Sequence, residues 1–589
     1  MRLVRWSAAP GIALAAFLVF SCSTPAPRTA VAPPPPPTAT PLPSTPTPRP
    51  YDYPSAPKGD TVDDYHGTRV PDPFRSLENA EDPSTAAWVD AENALTRRLL
   101  DRSEREALKA RITELMDYPR ISVPTKRGKF YFYFKNTGLQ NQSIYFVQEG
   151  AKGEPRVLID PNALSPDGTV ALTSVSPTRD GSLLGYTLSR SGSDRQEIYV
   201  RDVATGKDLP DKLLWAKFTA IAWTRDKRGF YYTRYAEPGT GPADEENYFP
   251  KLCYHRLGER QTKDRIILEK PGEKEVFLGA SVSYDGRWLI IQAWKGASDK
   301  SEIRVLDLSR PGAKAVPVFT GYENAYTIAD VVRGRLYART DRGAPLGRII
   351  AVDVARGLSA KNTDAPFAEI VPASQDNIVS ATIVNNQLIV DSLHNASDRL
   401  TVYDLSGRRQ NDVALPGIGS IDEISGLPDQ KEMFVSFTTF TVPRTNYRYD
   451  FSKRELVLFQ KPDVKVDTHG YETEQAWYSS RDGTNVSIFL IHRKGLARDG
   501  DRPTWLTAYG GFNINLTPFF VSSDFVLLER GGVIAIPNLR GGGEYGEAWH
   551  QAGTREKKQN VFDDFIAAAE WLVREGWTRP ARLAIEGGS

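Results

Sequence analysis

A unit of about 40 to 50 residues recurs between positions 119 and 461, and it constrains the fold more than any other feature of the chain. In one copy Val175-Ser176-Pro177 leads to the turn Asp180-Gly181, to the apolar run Leu183-Leu184-Gly185-Tyr186, and on to Ile198-Tyr199-Val200-Arg201-Asp202. A second passes from Val282-Ser283 through Asp285-Gly286 and Trp288-Leu289-Ile290-Ile291 to Ile303-Arg304-Val305-Leu306-Asp307. Weaker copies run through Arg225-Asp226, Leu336-Tyr337-Ala338 and Leu388-Ile389-Val390. Each has a turn, a buried strand, a loop, and an alternating strand that ends in Asp and a turn. Repeats of this length and content predict four-stranded β-propeller blades, and the stretch has room for about seven. Stacked sandwich domains predict no such repeated strand-Asp-turn ending and rank lower.

The flanks read differently. Ala87, Leu95, Leu99, Leu100, Leu108, Ile112 and Leu115 fall at helical spacing, which predicts one or two helices over residues 86–116. Beyond about residue 464, Trp505-Leu506-Thr507-Ala508-Tyr509 and Val533-Ile534-Ala535-Ile536 are apolar runs bounded by glycines, as buried parallel strands are. Residues 561–575 are predicted helical, with Phe562, Phe565, Ala569, Leu572 and Val573 on one face and Gly576 as the stop; residues 582–585 form a strand. Strands alternating with helices imply an α/β layer. The expected domains are therefore 51–118, a propeller over 119–461, and an α/β part over 462–589.

The first 21 residues read as an export signal, with Arg2 and Arg5 ahead of a short apolar run over residues 11–20. That run is too short to span a membrane. Val19-Phe20-Ser21-Cys22 looks like a bacterial lipobox with Cys22 as the lipidated residue; plain cleavage, releasing a periplasmic protein, is the alternative. Residues 22–50 are dominated by Pro and Thr and form a tether that could reach on the order of 80 Å at about 3.1 Å per residue. If Cys22 carries lipid, Cys253 stands alone and no internal disulfide forms. The 74 basic and 73 acidic residues leave a net charge of +1, which argues against nucleic acid and against any membrane contact beyond the lipid anchor.

The chain closes on Glu586-Gly587-Gly588-Ser589 after a strand, the first half of a nucleophile elbow. Upstream lie Ala508-Tyr509-Gly510-Gly511-Phe512-Asn513, then Asn538-Leu539-Arg540-Gly541-Gly542-Gly543-Glu544-Tyr545-Gly546, then Phe562-Asp563-Asp564-Phe565. In that order they closely resemble the catalytic domain of the prolyl oligopeptidase family of serine peptidases. Tyr51-Asp52-Tyr53-Pro54, Val62-Asp63-Asp64-Tyr65-His66-Gly67 and Pro71-Asp72-Pro73-Phe74-Arg75 resemble its N-terminal segment, with Ser76 where a tryptophan is usual.

The resemblance implies a β-propeller joined to a discontinuous α/β-hydrolase domain, with residues near 60–118 packing beside the C-terminal part. It implies Ser589 as nucleophile, Tyr509 as a donor to the oxyanion, and Phe512 as a wall of an apolar proline pocket. Short proline-containing peptides are the implied substrates, cut on the carboxyl side of proline, with the propeller restricting entry. Arg540 and the glycines after it look like scaffold. In this fold the Asp and His partners follow the serine, whereas His66, His255, His394, His469, His492 and His550 all precede it. The α/β-hydrolase part thus reads as C-terminally incomplete, with exposed apolar surface and an unpaired sheet edge, and the chain as written is expected to be inactive. The alternative is a non-catalytic exported propeller lipoprotein that binds peptides or proteins. No metal-ligand cluster or phosphate loop is visible, so no cofactor or metal is expected, and the protein is expected to be a monomer.

Overall fold

The computed structural model describes residues 51–242, 245–357 and 364–588. The export signal, the tether with Cys22, and Ser589 lie outside the described residues. The described residues fall into two compact units, 51–112 and 113–588.

In the smaller unit Val62–Tyr65 pairs antiparallel with Thr68–Pro71. The turn between them sets His66 at φ 55° and Gly67 at φ 90°, the left-handed pair that a two-residue hairpin needs. Helix Pro83–Leu100 starts with proline at its first position, and the Asp82 side chain accepts from the Ser84 amide at 2.8 Å, satisfying one orphan N–H. Helix Ser103–Met116 follows, and the division between the units falls within it. Both helices match the apolar spacing.

Between Arg120 and Gln460 the described strands form six hydrogen-bonded sheets in a β-propeller. Five have the size of one blade: four with four strands and one with five. The sixth has eight strands, from Val170–Pro177 to Arg265–Glu269. This corrects the expectation of about seven separate four-stranded sheets. The end of strand Asp208–Ala216 makes one ladder pair, Ala216 with Arg234, so hydrogen bonding continues where the repeat pattern sets a boundary. Adjacent sheets bury their faces on each other; Trp288, Ile303 and Val305 pack with Leu336, Ile350 and Val352. Burying each such side chain is worth about 1.5–3 kcal/mol. The ring closes through side chains, with no shared strand. Asn446 Nδ2 in the last sheet donates to the carbonyls of Ile121 and Ser122 beside the first, Lys126 pairs with Glu432 at 3.0 Å, and Tyr131 meets Phe434 edge-on.

The remaining sheet has five strands: β1 Tyr471–Ser479, β2 Asn485–Arg493, β3 Thr504–Ala508, β4 Val533–Pro537 and β5 Leu583–Gly587. Their order is β1-β2-β4-β3-β5, with β3 parallel to both β4 and β5. Helix Gln559–Arg574 covers one face and ends at Gly576, whose φ is 75°. Its buried stripe is Val561, Asp564, Ala568, Trp571 and Leu572; Phe562, assigned to the apolar face from sequence, is 53% exposed instead. Asp564 lies on this inward stripe, where it meets a buried arginine. Leu115 and Tyr118 join a second cluster with Phe440 of the propeller and Tyr471, Phe489 and Phe525 of the sheet domain, so the two parts of this unit share a core.

Candidate active site

In an open sheet with parallel strands, reactive groups gather at the strands' carboxyl ends. Three loops leave that end here. From β3 comes Tyr509-Gly510-Gly511-Phe512-Asn513, from β4 the stretch Asn538 onward, and from β5 Gly588, the last residue described. The β3–β5 ladder runs in register from Thr504 with Leu583 to Ala508 with Gly587. Tyr509 therefore leaves its strand level with Gly588, one residue before Ser589. The Tyr509 hydroxyl has no hydrogen-bond partner among the described residues, and its ring lies 6.5 Å from that of Phe512, which is 53% exposed. Phe512 and Asn513 both take left-handed backbone, φ 52° and 58°, which turns the loop outward.

The glycines of the two long loops interlock. Gly510 has φ 63°, and a Cβ there would come within 2.4 Å of Val561 Cγ1; Gly541 has φ 91°, and its Cβ would meet the Gly510 carbonyl oxygen at 2.7 Å. No larger residue fits either place. Lys558 Nζ donates to the Gly510 carbonyl at 2.8 Å, and burial pulls its ammonium pKa down. The Asn513 amide donates to the Gly541 carbonyl at 3.2 Å, which binds one loop to the other, and His550 Nδ1 lies beside both, 2.8 Å from that carbonyl and 3.1 Å from that amide.

Arg540 is the anchor beneath. Its guanidinium donates to both carboxyl oxygens of Asp564, the nearest at 2.7 Å, and to Asp482 at 2.5 Å. Asp564 also accepts from the Arg540 amide and the Ser480 hydroxyl, so each lone pair is used. Burial opposes the charge on Arg540, but these carboxylates raise its pKa above the ordinary value, and Arg540 holds Asp482 down at about 2. The scaffold role expected of Arg540 is what the geometry gives. Asp564, singled out in sequence only as part of a motif, proves to be its buried counter-ion. Glu544, Asn538 and Ser487 extend this support: Glu544 accepts from the Leu516 amide at 2.7 Å, and the Ser487 hydroxyl donates to Asn538.

The loops also meet the propeller. Asn513 Nδ2 donates to Asp299 at 3.1 Å, Asn377 Nδ2 to the Gly543 carbonyl at 2.6 Å, and Lys300 to Glu547 at 2.9 Å. Behind them lies a cavity of about 250 Å³ lined by Trp294, Tyr326 and Arg339 from the propeller and Asn513, Asn515 and Glu547 from the α/β part. It is polar and adjoins the Phe512 loop.

This arrangement corresponds to known proteins over nearly the whole chain. Residues 54–462 match the family model described as the prolyl oligopeptidase N-terminal β-propeller domain, and residues 519–589 match that of the prolyl oligopeptidase family. The chain belongs to the prolyl oligopeptidase family of serine peptidases. A prolyl endopeptidase of Elizabethkingia meningoseptica is 35% identical, over 91% of this chain and 75% of the relative. Prolyl oligopeptidase A of Amanita bisporigera is 32% identical over 91% and 75%. Among solved structures, one from a study of two prolyl endopeptidases and their inter-domain dynamics superposes with a TM-score of 0.84 at 37% identity, covering 91% of this chain and 79% of that one. Prolyl oligopeptidase B of Galerina marginata, bound to a 25-residue macrocyclisation substrate, gives 0.84 at 30% identity with the same coverage. In this family member the three loops described above form the α/β side of the candidate site.

Proposed function

We propose that this prolyl oligopeptidase-type chain hydrolyses short peptides on the carboxyl side of proline through an acyl-enzyme on Ser589. The Ser589 hydroxyl oxygen attacks the proline carbonyl carbon while a base accepts its proton. The carbon–nitrogen bond breaks, the amine leaves with a proton, and water then cleaves the ester. Tyr509 donates to the carbonyl oxygen as it becomes negative, and Phe512 offers the pyrrolidine ring an apolar wall. The observation that supports this reading is the in-register pairing of Ala508 with Gly587, which brings the residues after the two strands, Tyr509 and Gly588, to the same end of the sheet. Export through residues 1–21 and lipid attachment at Cys22 belong to the same proposal.

The test is cleavage of a Gly-Pro chromogenic peptide by the protein expressed from its full reading frame. Turnover after proline that Ser589→Ala removes supports the proposal; turnover that survives this change rejects Ser589 as the nucleophile.

A further inference from the structure

We propose that His492, Glu474 and Glu472 form a binding site for one divalent transition-metal ion, best suited to zinc, on the outer edge of the five-stranded sheet. Glu472 and Glu474 are two residues apart on β1, so their side chains leave the same face. His492 on β2 is the cross-strand partner of Glu472. One candidate ligand atom from each of the three lies within 4.8 Å of the other two.

The histidine is what distinguishes this group from an ordinary acidic surface. Its side chain is only 3% exposed. Nδ1 lies 2.9 Å from the Arg493 carbonyl oxygen, which can only accept, so Nδ1 carries the hydrogen. With Nδ1 donating there, Nε2 is the edge of the ring turned toward the carboxylates. That nitrogen makes no hydrogen bond, and Glu474 Oε1 is 3.5 Å from it. An Nε2 lone pair facing a carboxylate oxygen is repulsive unless a cation, either a proton or a metal ion, lies between them. Zinc bonds of about 2.0–2.2 Å at tetrahedral angles put two donor atoms roughly 3.4 Å apart, which fits this separation.

Glu472 Oε1 sits 3.9 Å from Nδ1, at the ring's other edge, and a turn of its half-exposed side chain brings it to the same ion. Arg498 donates to the second oxygen of Glu474 at 2.8 Å, which leaves Oε1 directed at the imidazole. The Nδ1 contact to a backbone carbonyl and this arginine are the outer-shell bonds that fix a metal-binding histidine and carboxylate. Trp577 stacks obliquely on the ring at 5.0 Å, so the histidine cannot swing out. The two carboxylates, 40% and 39% exposed, leave a path for the ion and room for water to complete its shell. Imidazole with carboxylates suits zinc better than calcium or magnesium. The bound ion would clasp edge strand β1 to β2, independently of any chemistry at Ser589.

The 589-residue polypeptide, stripped with EDTA, is titrated with zinc chloride by calorimetry, and cobalt(II) absorbance reports the ligand field. One equivalent of zinc is expected to bind, with affinity falling about 10-fold or more in Glu474→Gln and in Glu472→Gln. Both changes are at half-exposed side chains, so they stay informative even if a His492→Gln chain does not fold. Zinc binding unchanged in the Glu472→Gln, Glu474→Gln double variant overturns the proposal. So does the absence of binding at millimolar zinc, or NMR evidence that both His492 ring nitrogens carry protons at neutral pH.

Discussion

Arg540 and Asp564 place opposite charges under the glycine loop at 5% and 0% exposure, and each uses its full set of hydrogen-bonding atoms. Removing Asp564 leaves the buried Arg540 with only the half-exposed Asp482 as counter-charge, and breaking a buried pair costs up to about 3–5 kcal/mol. Asp564→Asn is therefore expected to lower the unfolding free energy of the α/β part by roughly that amount, read from urea denaturation. Tyr509 belongs to the other class of residue, one with nothing to support. Its hydroxyl is half-exposed and without a partner among the described residues, so Tyr509→Phe is expected to leave stability unchanged. On the proposed mechanism it lowers kcat by about 10²–10³ with little change in KM, as loss of one oxyanion donor does. A matching rise in KM with kcat intact would instead make Tyr509 a substrate contact.

At the scale of the element, the eight-stranded sheet holds a buried polar junction. His255, on strand Lys251–Arg256, lies between Asp211 at 3.1 Å and Asp264 at 2.7 Å, with all three side chains almost fully enclosed. Burial alone would lower the imidazole's pKa, but the two carboxylates win and raise it to about 9. A histidine raised on folding stabilises fully below its unfolded value of about 6.5, and that contribution disappears as pH rises through about 9. The thermal midpoint of the propeller is expected to fall between pH 7 and pH 10, more steeply in the native chain than in His255→Asn. Equal slopes would show that the imidazole is not held charged. The same sheet shows why sheets and repeats need not coincide: one ladder pair, Ala216 with Arg234, suffices to join two groups of strands.

At the scale of the whole molecule, two surfaces matter. β5 is an edge strand among the described residues, and Ile585 on it is 67% exposed. Phe562 and Ile566 of helix Gln559–Arg574 are also exposed, at 53% and 54%. Open ladder groups beside apolar side chains favour association. The 589-residue polypeptide is expected to self-associate in light scattering, less so with Ile585→Lys.

Sequence alone determined the elements whose physics is local. Alternation with Asp-Gly turns revealed the propeller strands, helical spacing revealed Pro83–Leu100 and Gln559–Arg574, and glycine-bounded apolar runs revealed β3 and β4. The ordered motifs from Tyr509 to Ser589 pointed to the family, and Gly510 and Gly541 among them are fixed by close approach of the two loops. Only the tertiary structure decided what depends on separation in space. Nothing at positions 540 and 564 marks them as an ion pair, yet both are buried and paired, while Phe562 on the same helix is exposed. Nothing in the text joins Glu472 and Glu474 to His492, because a ladder register, not a sequence spacing, brings them together. Buried charge must find a partner wherever the fold supplies one, and a one-dimensional pattern does not say where that is.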